Sequence, residues 1–321
     1  MPLRIVFCGT PAFALPSLRR FIADSDFTVE AVVTQPDRPR GRGGHSSSSP
    51  VKEAALEAGL HVYQPEKIRS DSSFEFFQRL APDAVVIIAY GQIVPPPLIA
   101  VPRLGWINLH GSLLPKYRGA APINWVILDG QTRTGLTTMQ IDAGLDTGPV
   151  LLKTEIDIRS DETAPELAAR MADAGAPLVA ETLRRFSRGE ISPLPQDSSL
   201  ATHARPLKKE DGQIDWSLAA PHIYNRIRGL QPWPGAFTAF RGRLCHIWGR
   251  PAGIAPGGSE SAAANGRPAG TLLLHARELF VRCGETSFLK IEQLQLEGRK
   301  RISAAEFLNG ARLHAGEKFG T

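Results

Sequence analysis

Short apolar segments alternate with helical patterns through the first half of the chain. Unbroken apolar runs predict strands at residues 3–8, 29–34, 84–89 and Trp106–His110. Apolar positions at helical spacing predict helices between them, for example at residues 12–22 and 120–128. Strands without polar alternation are typical of a parallel sheet buried on both faces. The pattern predicts a doubly wound, Rossmann-like α/β domain, with ligands at the carboxyl ends of its strands.

The second half of the chain follows a different pattern. After a helical pattern at residues 164–188, residues 191–206 hold three prolines and no sustained period, which predicts a linker. Short apolar runs then predict strands at residues 236–240, 244–248, 270–274, 279–282 and 288–296. Because Gly, Pro and Arg separate these runs, we expect a small, OB-like antiparallel β-barrel. A length of 321 residues agrees with two domains, which we expect at 1–189 and 207–321, joined by a linker at 190–206.

Charge is distributed unevenly over these two parts. The composition, 42% hydrophobic and 21% charged, is that of a globular protein and excludes a disordered chain. Residues 1–206 carry 21 basic and 22 acidic side chains, whereas residues 207–321 carry 16 and 10. The stretch between Asp215 and Glu260 has no acidic residue but contains Arg226, Arg228, Arg241, Arg243 and Arg250. This excess predicts that the second domain binds a polyanion, although a solvated basic face without a partner is also compatible with it.

Cysteine usage and hydropathy exclude several classes of protein. Cys8, Cys245 and Cys283 are far apart and form no CxxC pair, which argues against a disulfide scaffold, a zinc ribbon and thioredoxin chemistry. The longest apolar run is far shorter than the roughly 20 residues that span a bilayer. The turn Gly9-Thr10-Pro11 lacks the GxGxxG fingerprint of dinucleotide-binding enzymes. We expect a cytoplasmic protein with no membrane contact.

The residues best suited to chemistry surround the end of the predicted strand at Trp106–His110. Asn108 and His110 are two positions apart, so both side chains point to one face of the strand. An Asn amide donates to a developing oxyanion, and a His donates to it or relays a proton. The stretch IDAGLDTGP adds Asp142 and Asp146 as candidate acids. By itself, an Asn-x-His pair is also typical of a strand end with a structurally hydrogen-bonded His.

Two neighbouring motifs carry a family resemblance, NLHGSLLPKYRGAAPINW and MQIDAGLDTGPVL. They resemble the signature of the 10-formyltetrahydrofolate-dependent formyltransferases. Three further stretches are similar to the members of this family that act on tRNA: FCGTPAFALPSL, TQPDRPRGRG and KKEDGQIDWSLAAPHIYNRIRGLQPWPGAF. The similarity extends through nearly the whole chain. It implies formyl transfer from 10-formyltetrahydrofolate to the free amino group of initiator methionyl-tRNA, for translation initiation, by a monomeric enzyme without a metal.

The resemblance also implies which residues act. The family's catalytic trio falls on Asn108, His110 and Asp146, and the amine of the esterified methionine attacks the formyl carbon directly. On physical grounds, Asn108 and His110 would stabilise the oxyanion. Asp146 would hold the His and accept the proton of the amine through water. No cysteine lies in these motifs, which agrees with a mechanism that lacks a thiol nucleophile.

Two further segments match parts of the family that bind substrates. The segment that contacts folate matches Ser112, Leu113, Leu114 and Pro115. The polar loop at residues 37–49 matches an insertion that reaches the tRNA acceptor stem, with Arg42 as the residue carried over. Where relatives often have a lysine pair after GRG, this chain has Gly44-His45 and four serines. An Arg/Gly/Ser loop is by composition also typical of a solvated surface loop.

Three other functions share part of this chemistry or charge. A formyltransferase that acts on a nucleotide-linked amino sugar would use the same residues but would not need a basic second domain. A formyl-folate hydrolase or dehydrogenase would share the core, and the dehydrogenase would need a further domain for which the chain has no length. A non-catalytic RNA-binding protein is disfavoured by the presence of Asn108, His110 and Asp146.

Overall fold

The computed structural model describes residues 1–39, 46–252, 266–314 and 316–320. The helices in these ranges are α1 (Leu15–Ala23), α2 (Pro50–Glu57), α3 (Asp71–Leu80), α4 (Pro96–Ile99), α5 (Pro122–Leu128), α6 (Ala164–Ser187), α7 (Ala220–Gly229) and α8 (Ala304–Ala311). The strands up to the predicted linker are β1 (Leu3–Gly9), β2 (Phe27–Val33), β3 (Arg38–Pro39), β4 (Ser46–Ser47), β5 (Val62–Tyr63), β6 (Ala84–Ile88), β7 (Trp106–His110), β8 (Arg133–Gln140) and β9 (Val150–Asp157). Those after it are β10 (Phe237–Phe240), β11 (Arg243–Pro251), β12 (Leu272–His275), β13 (Glu278–Arg282), β14 (Phe288–Leu296) and β15 (Ile302–Ser303).

The larger sheet has seven of the described strands, in the order β5-β2-β1-β6-β7-β8-β9. The strands from β5 to β7 are parallel, and β8 and β9 then run antiparallel to their neighbours. All five side chains of β6 are buried, as expected for a strand with an unbroken apolar sequence between helical layers. The Rossmann-like fold class predicted from the sequence is confirmed, with an antiparallel extension beside β7.

An aromatic cluster holds the start of β7 in place. Trp106 is completely buried, and its ring lies 5.1 Å from that of Phe77 in α3. The Trp106 indole Nε1–H donates to the carbonyl of Leu98 at 2.8 Å, which satisfies its one polar group. Burial of these rings contributes on the order of 2–3 kcal/mol each. The strand that ends at His110 is therefore anchored at its opposite end by packing.

The second sheet is entirely antiparallel. Its path is β10-β11-β14-β13-β12, and β15 pairs with β14. Burial alternates along β11, where Cys245 and Ile247 face the core and Arg243 and Arg250 are exposed. The core is closed by aromatic side chains such as Trp216, whose ring stacks on Phe319 at 5.6 Å. This sheet confirms the predicted separate β-rich fold of the second half.

The two compact units are not continuous in sequence. One unit comprises residues 1–122, 133–157 and 166–205, and the other comprises 123–132, 158–165 and 206–321. Within the second unit, the side-chain amide of Asn124 in α5 donates to the carbonyl of Gly229 in α7 at 2.7 Å. Two pieces of the chain, one between β7 and β8 and one from the end of β9 to the start of α6, thus belong to the fold of the second unit. In the part of the chain that the structure describes, no helix is long and apolar enough to cross a membrane.

Candidate active site

His110 ends β7 as a buried side chain with defined partners. It is 6% exposed, and its Nε2 lies 2.9 Å from the carbonyl oxygen of Tyr117. Because a carbonyl oxygen only accepts hydrogen bonds, Nε2 carries a proton and donates it. The other ring nitrogen, Nδ1, faces Asp146. The ring is therefore oriented by a backbone group, with Nδ1 as the atom turned to the candidate acid.

Asp146 reaches His110 from the connection between β8 and β9. Its Oδ2 lies 3.7 Å from His110 Nδ1, which is too far for a direct hydrogen bond but close for a charge interaction. The same Oδ2 accepts a hydrogen bond from the backbone N–H of Gly119 at 2.8 Å. Asp146 has a φ of 52°, in the left-handed region that Asp tolerates better than most residues. The backbone conformation of the loop thus directs the carboxylate to the end of β7.

The second candidate acid, Asp142, has a different role. Its Oδ1 accepts from the N–H of Gly144 at 3.0 Å and from the hydroxyl of Thr147 at 2.7 Å. These bonds close a turn within the β8–β9 connection. Gly148 follows, and a Cβ at this position would lie 1.8 Å from the carbonyl oxygen of Gln140, so only glycine fits. Asp142 and Gly148 shape the loop that presents Asp146.

Asn108 lies two positions before His110 on β7. The strand pairs antiparallel with β8, with Asn108 opposite Met139 and His110 opposite Thr137. Because side chains alternate along a strand, Asn108 and His110 share a face, and Asn108 is half-buried. The structure brings Asn108, His110 and Asp146 to one end of the sheet.

The predicted folate-contacting segment is partly buried in the fold. The Ser112 hydroxyl donates to the carbonyl of Lys116 at 2.6 Å, and its side chain is fully buried. Leu113 packs so closely on Gly135 that a Cβ there would lie 2.5 Å from a Leu113 methyl carbon. Leu114 and Pro115, in contrast, line a cleft. Of these two, Leu114 is only 1% exposed and Pro115 is half-buried, whereas Ser112 is buried and Leu113 is half-buried.

This cleft has a volume of about 470 Å³ and lies in the first unit. Its walls are formed by Leu114, Pro115, Val150, Leu151, Leu152, Lys153, Leu194, Pro195, Gln196 and Asp197. The Lys153 ammonium group donates to the carbonyl of Leu114 and so holds one wall. Apolar walls with a few polar groups are typical of small-molecule sites.

Several residues around the trio were not predicted from the sequence. Tyr117 and Gly119 hold His110 and Asp146 through backbone groups, which leave no side-chain signal in a sequence. The N–H of Tyr117 donates to the hydroxyl of Thr202 at 2.8 Å, across 85 positions in the chain. Gln196, from the predicted linker, donates to the carbonyl of Asp146 at 2.9 Å. No local pattern could have indicated these contacts.

Several arginines of the second unit are exposed and contact side chains of the same unit, whereas Arg228 is buried. Arg250 pairs with Glu292 at 2.6 Å, and Arg241 pairs with Glu317. The guanidinium of Arg301 stacks on the ring of Trp248, 3.8 Å from its centre. Aromatic and guanidinium groups on one surface are suited to nucleic acid. Arg42 lies outside the described residues.

The cysteines are buried thiols. Burial raises the pKa of Cys8 well above its ordinary value, and it raises the pKa of Cys245 and Cys283 to about 12. A thiol with such a pKa carries almost no thiolate at neutral pH. Among the described residues, no group of three or more His, Cys, Asp or Glu side chains could hold a metal ion.

Comparisons with known proteins show which family the chain is similar to. A family model described as formyl transferase matches residues 3–183, and one described as formyl transferase, C-terminal domain, matches residues 206–312. The chain is 53% identical over 319 residues to the methionyl-tRNA formyltransferase of Solibacter usitatus, covering 99% of both chains. It is 48% identical over 317 residues to that of Koribacter versatilis, covering 98% of both.

Solved structures show the same fold at much lower identity. WlaRD, a sugar 3N-formyl transferase crystallised with dTDP and 5-N-formyl-THF, is 16% identical, with a TM-score of 0.66 over 94% of this chain and 100% of its own. HypX from Aquifex aeolicus, in complex with tetrahydrofolic acid, is 15% identical, with a TM-score of 0.61 over 100% of this chain and 51% of its own.

Proposed function

The chain belongs to the methionyl-tRNA formyltransferase family, and we propose that Asn108, His110 and Asp146 carry the reaction of this family. The protein transfers a formyl group to the amino group of methionyl-tRNA. The observation that supports the assignment is the approach of Asp146 Oδ2 to His110 Nδ1, 3.7 Å apart at the end of β7. The carboxyl end of a strand is where α/β sheets bind ligands.

The roles of the three residues follow from their hydrogen-bonding capacity. As the amine attacks, negative charge develops on the formyl oxygen, and the Asn108 amide donates to it. His110 Nε2 is already bonded to the Tyr117 carbonyl, so only Nδ1 is left to donate, and it does so when the ring is doubly protonated. Asp146 balances that charge and accepts, through water, the proton that the amine loses. When the tetrahedral intermediate collapses, the bond between the formyl carbon and the nitrogen of the donor breaks, and that nitrogen takes up the proton as the deformylated donor leaves.

We propose 10-formyltetrahydrofolate as the formyl donor, which supplies an activated formyl carbon. Leu114 and Pro115 on the wall of the 470 Å³ cleft support this, because apolar surface with few polar groups is suited to a flat heteroaromatic ligand. The buried Ser112 holds the segment in place through its bond to Lys116, and the half-buried Leu113 adds apolar surface. The folate ligands of the distant neighbours WlaRD and HypX point the same way.

We propose initiator methionyl-tRNA as the acceptor, bound mainly by the second domain at residues 207–321. The excess of six positive charges there supports binding to phosphate, as do the exposed Arg243 and Arg250. Arg42 adds a contact near the acceptor end, and residues 1–189 bind the donor. The reaction needs no metal. The enzyme acts as a monomer in the cytoplasm, where tRNA and folate are both available.

A formyl-transfer assay with parallel acceptors tests this function. Methionyl-tRNA, uncharged tRNA, free methionine and a dTDP-linked amino sugar would each be incubated with 10-formyltetrahydrofolate and enzyme. We expect product only with methionyl-tRNA, because only this acceptor combines a neutral amine with the polyanion that the basic domain binds. Formylation of the sugar and not of the tRNA would contradict the proposal.

A further inference from the structure

A segment of the predicted linker is bonded to the loops that carry the site. This segment, residues 194–204, is called the strap here. At one end, the backbones of Leu194 and Val150 exchange two hydrogen bonds of 2.8 Å. At the other end, the N–H of Ala204 donates to the carbonyl of Arg118 at 2.7 Å, and the N–H of Arg118 donates to Thr202 at 2.9 Å. The strap therefore joins the 117–119 loop to the start of β9.

Gln196 stands where the strap meets both loops. Its Nε2 donates to the carbonyls of Asp146, at 2.9 Å, and Gly148, at 2.7 Å. Its Oε1 accepts from Nε and Nη2 of Arg118, at 3.1 and 2.8 Å. Both the oxygen and the nitrogen of the Gln196 amide are thus hydrogen-bonded. These partners define the orientation of the amide, because a carbonyl only accepts and a guanidinium only donates.

The two loops that Gln196 connects are the ones that hold the catalytic pair. Arg118 lies between Tyr117, whose carbonyl accepts from His110, and Gly119, whose N–H donates to the Asp146 carboxylate. Gln196 therefore links the backbone of Asp146 to Arg118, the residue between Tyr117 and Gly119. Gly119 has a φ of 118°, and a Cβ there would lie 2.7 Å from the carbonyl of Ala204, so this loop and the strap are in close contact.

We propose that Gln196 is a positioning residue for formyl transfer, one that keeps the Asp146 carboxylate against His110 through the backbone of Asp146. The inference rests on the proposed function of the His110–Asp146 pair. Gln196 acts through its two N–H donors: without them, the carbonyls of Asp146 and Gly148 lose their partners and the loop moves from His110. A misplacement of about 1 Å lowers turnover by up to about 100-fold.

The substitution Gln196→Glu separates positioning from stability. Glutamate has the same shape and still accepts from the buried Arg118, but it cannot donate to the two carbonyls. Ser198→Asp is the matched control, because Ser198 is exposed, lies 3.5 Å from the same guanidinium and adds the same charge without touching the Asp146 loop. Both enzymes would be assayed with methionyl-tRNA and 10-formyltetrahydrofolate, and their melting temperatures measured.

On this proposal, Gln196→Glu lowers kcat by about 10- to 100-fold and leaves KM for methionyl-tRNA within about threefold. Ser198→Asp keeps kcat within about twofold of the wild type. In spectra of glycine-labelled protein, the amide proton of Gly119 reports its bond to the Asp146 carboxylate. We expect its signal to move upfield in Gln196→Glu and to stay in place in Ser198→Asp.

Four results would overturn the proposal: an unchanged kcat in Gln196→Glu, an equal loss in both variants, a loss confined to KM, or an unmoved Gly119 signal. If Gln196→Glu does not fold, Gln196→Met takes its place, and normal turnover per folded molecule would refute the proposal. The variant Asp146→Ala separates this test from that of the proposed function. If Asp146→Ala is active, the assignment of the catalytic pair fails; if it is inactive while Gln196→Glu is active, only the inference about Gln196 fails.

Discussion

The two units of this protein use polar side chains in opposite ways. In the first unit, His110 is 6% exposed and Asp146 is held by a backbone N–H, so that each side chain has one defined position. In the second unit, Arg250 is 63% exposed and already paired with Glu292. Exposed pairs are worth little individually and are screened by salt. A single substitution should therefore abolish the function of the first unit, whereas the function of the second should decline gradually.

The largest effect is expected from the catalytic trio. Asn108→Ala, His110→Ala and Asp146→Ala should each lower kcat by about 10²- to 10³-fold, the usual cost of losing one oxyanion-stabilising group or one general base. Single-turnover formylation of methionyl-tRNA would measure it. His275→Ala and Asn309→Ala, which remove exposed side chains of the same types in the second unit, serve as controls. Near-normal kcat in all three trio variants would show that the chemistry lies elsewhere.

A smaller effect is expected from the backbone of the same site. Gly119→Ala places a Cβ 2.7 Å from the carbonyl of Ala204, in a left-handed conformation. Gly59→Ala is the control, because Gly59 has a φ of 69° but nothing within 4 Å of the added carbon. The steric clash should make Gly119→Ala less stable than the control by about 1–3 kcal/mol. Urea unfolding would measure both, and equal stabilities would mean that the 117–119 loop is free to shift.

The basic unit should respond in proportion to the charge removed. Replacing Arg243 and Arg250 together by Gln should lower the slope of log affinity for tRNA against log salt by about 2, because each phosphate that an arginine no longer neutralises lowers it by roughly one unit. Folate binding should not change. Arg133→Gln is the control, since Arg133 is an equally exposed, ion-paired arginine of the first unit. If the slope of log affinity against log salt falls equally in Arg133→Gln, the second unit does not differ from the first in how it binds tRNA.

Arg42 should contribute one contact of the same kind from the first half of the chain. Arg42→Ala should raise KM for methionyl-tRNA by a few fold, about the loss of one charge-assisted hydrogen bond, and leave folate binding unchanged. Trypsin cleavage after Arg40 and Arg42, followed with and without tRNA, gives a second readout. If tRNA does not protect these bonds and the variant has normal kinetics, the loop is only a surface connection.

The smallest effect is expected from the thiols. Because the pKa values of Cys245 and Cys283 are raised to about 12 in the folded protein, from an ordinary value of 9.0, the folded state holds these protons more tightly than the unfolded state. Their contribution to stability is therefore complete below pH 9 and declines as the pH rises towards 12. Thiol titration with a chromogenic disulfide at pH 8 should give no fast reaction in the native enzyme. A fast-reacting cysteine would show that one of the cores opens.

Much of the fold could be predicted because its strands are locally apolar. The expected segments Trp106–His110 and 288–296 coincide with β7 and β14, and the predicted helix at 164–188 matches α6 within one residue. Strand β8, with the sequence RTGLTTMQ, was not predicted, because threonine and glycine interrupt its apolar pattern although six of its eight residues are buried. Such a strand forms because tertiary packing buries it, and the local sequence pattern does not show that packing.

The candidate site could be predicted less completely than the fold. The trio has motifs, but its supports do not: Gln196 contacts Asp146 across 50 positions, and Thr202 contacts Tyr117 across 85. Prolines and the lack of a period correctly indicate irregular backbone at residues 191–206, yet irregular backbone can be fully hydrogen-bonded. Composition indicates whether a segment forms regular secondary structure. It does not show which residues the segment contacts, because those contacts depend on the three-dimensional fold.

The interleaving of the two units has a consequence for synthesis on the ribosome. Helix α5 emerges about 100 residues before α7, whose Gly229 accepts the hydrogen bond of Asn124 and packs against Ile127 and Leu128. At roughly 5–20 residues per second, α5 waits for on the order of 5–20 seconds without its partner. During that time the nascent chain carries this apolar helix without the partner that it packs against in the folded protein. A chaperone that binds short apolar helices would meet this chain there, and slow codons between α5 and α7 would prolong the encounter.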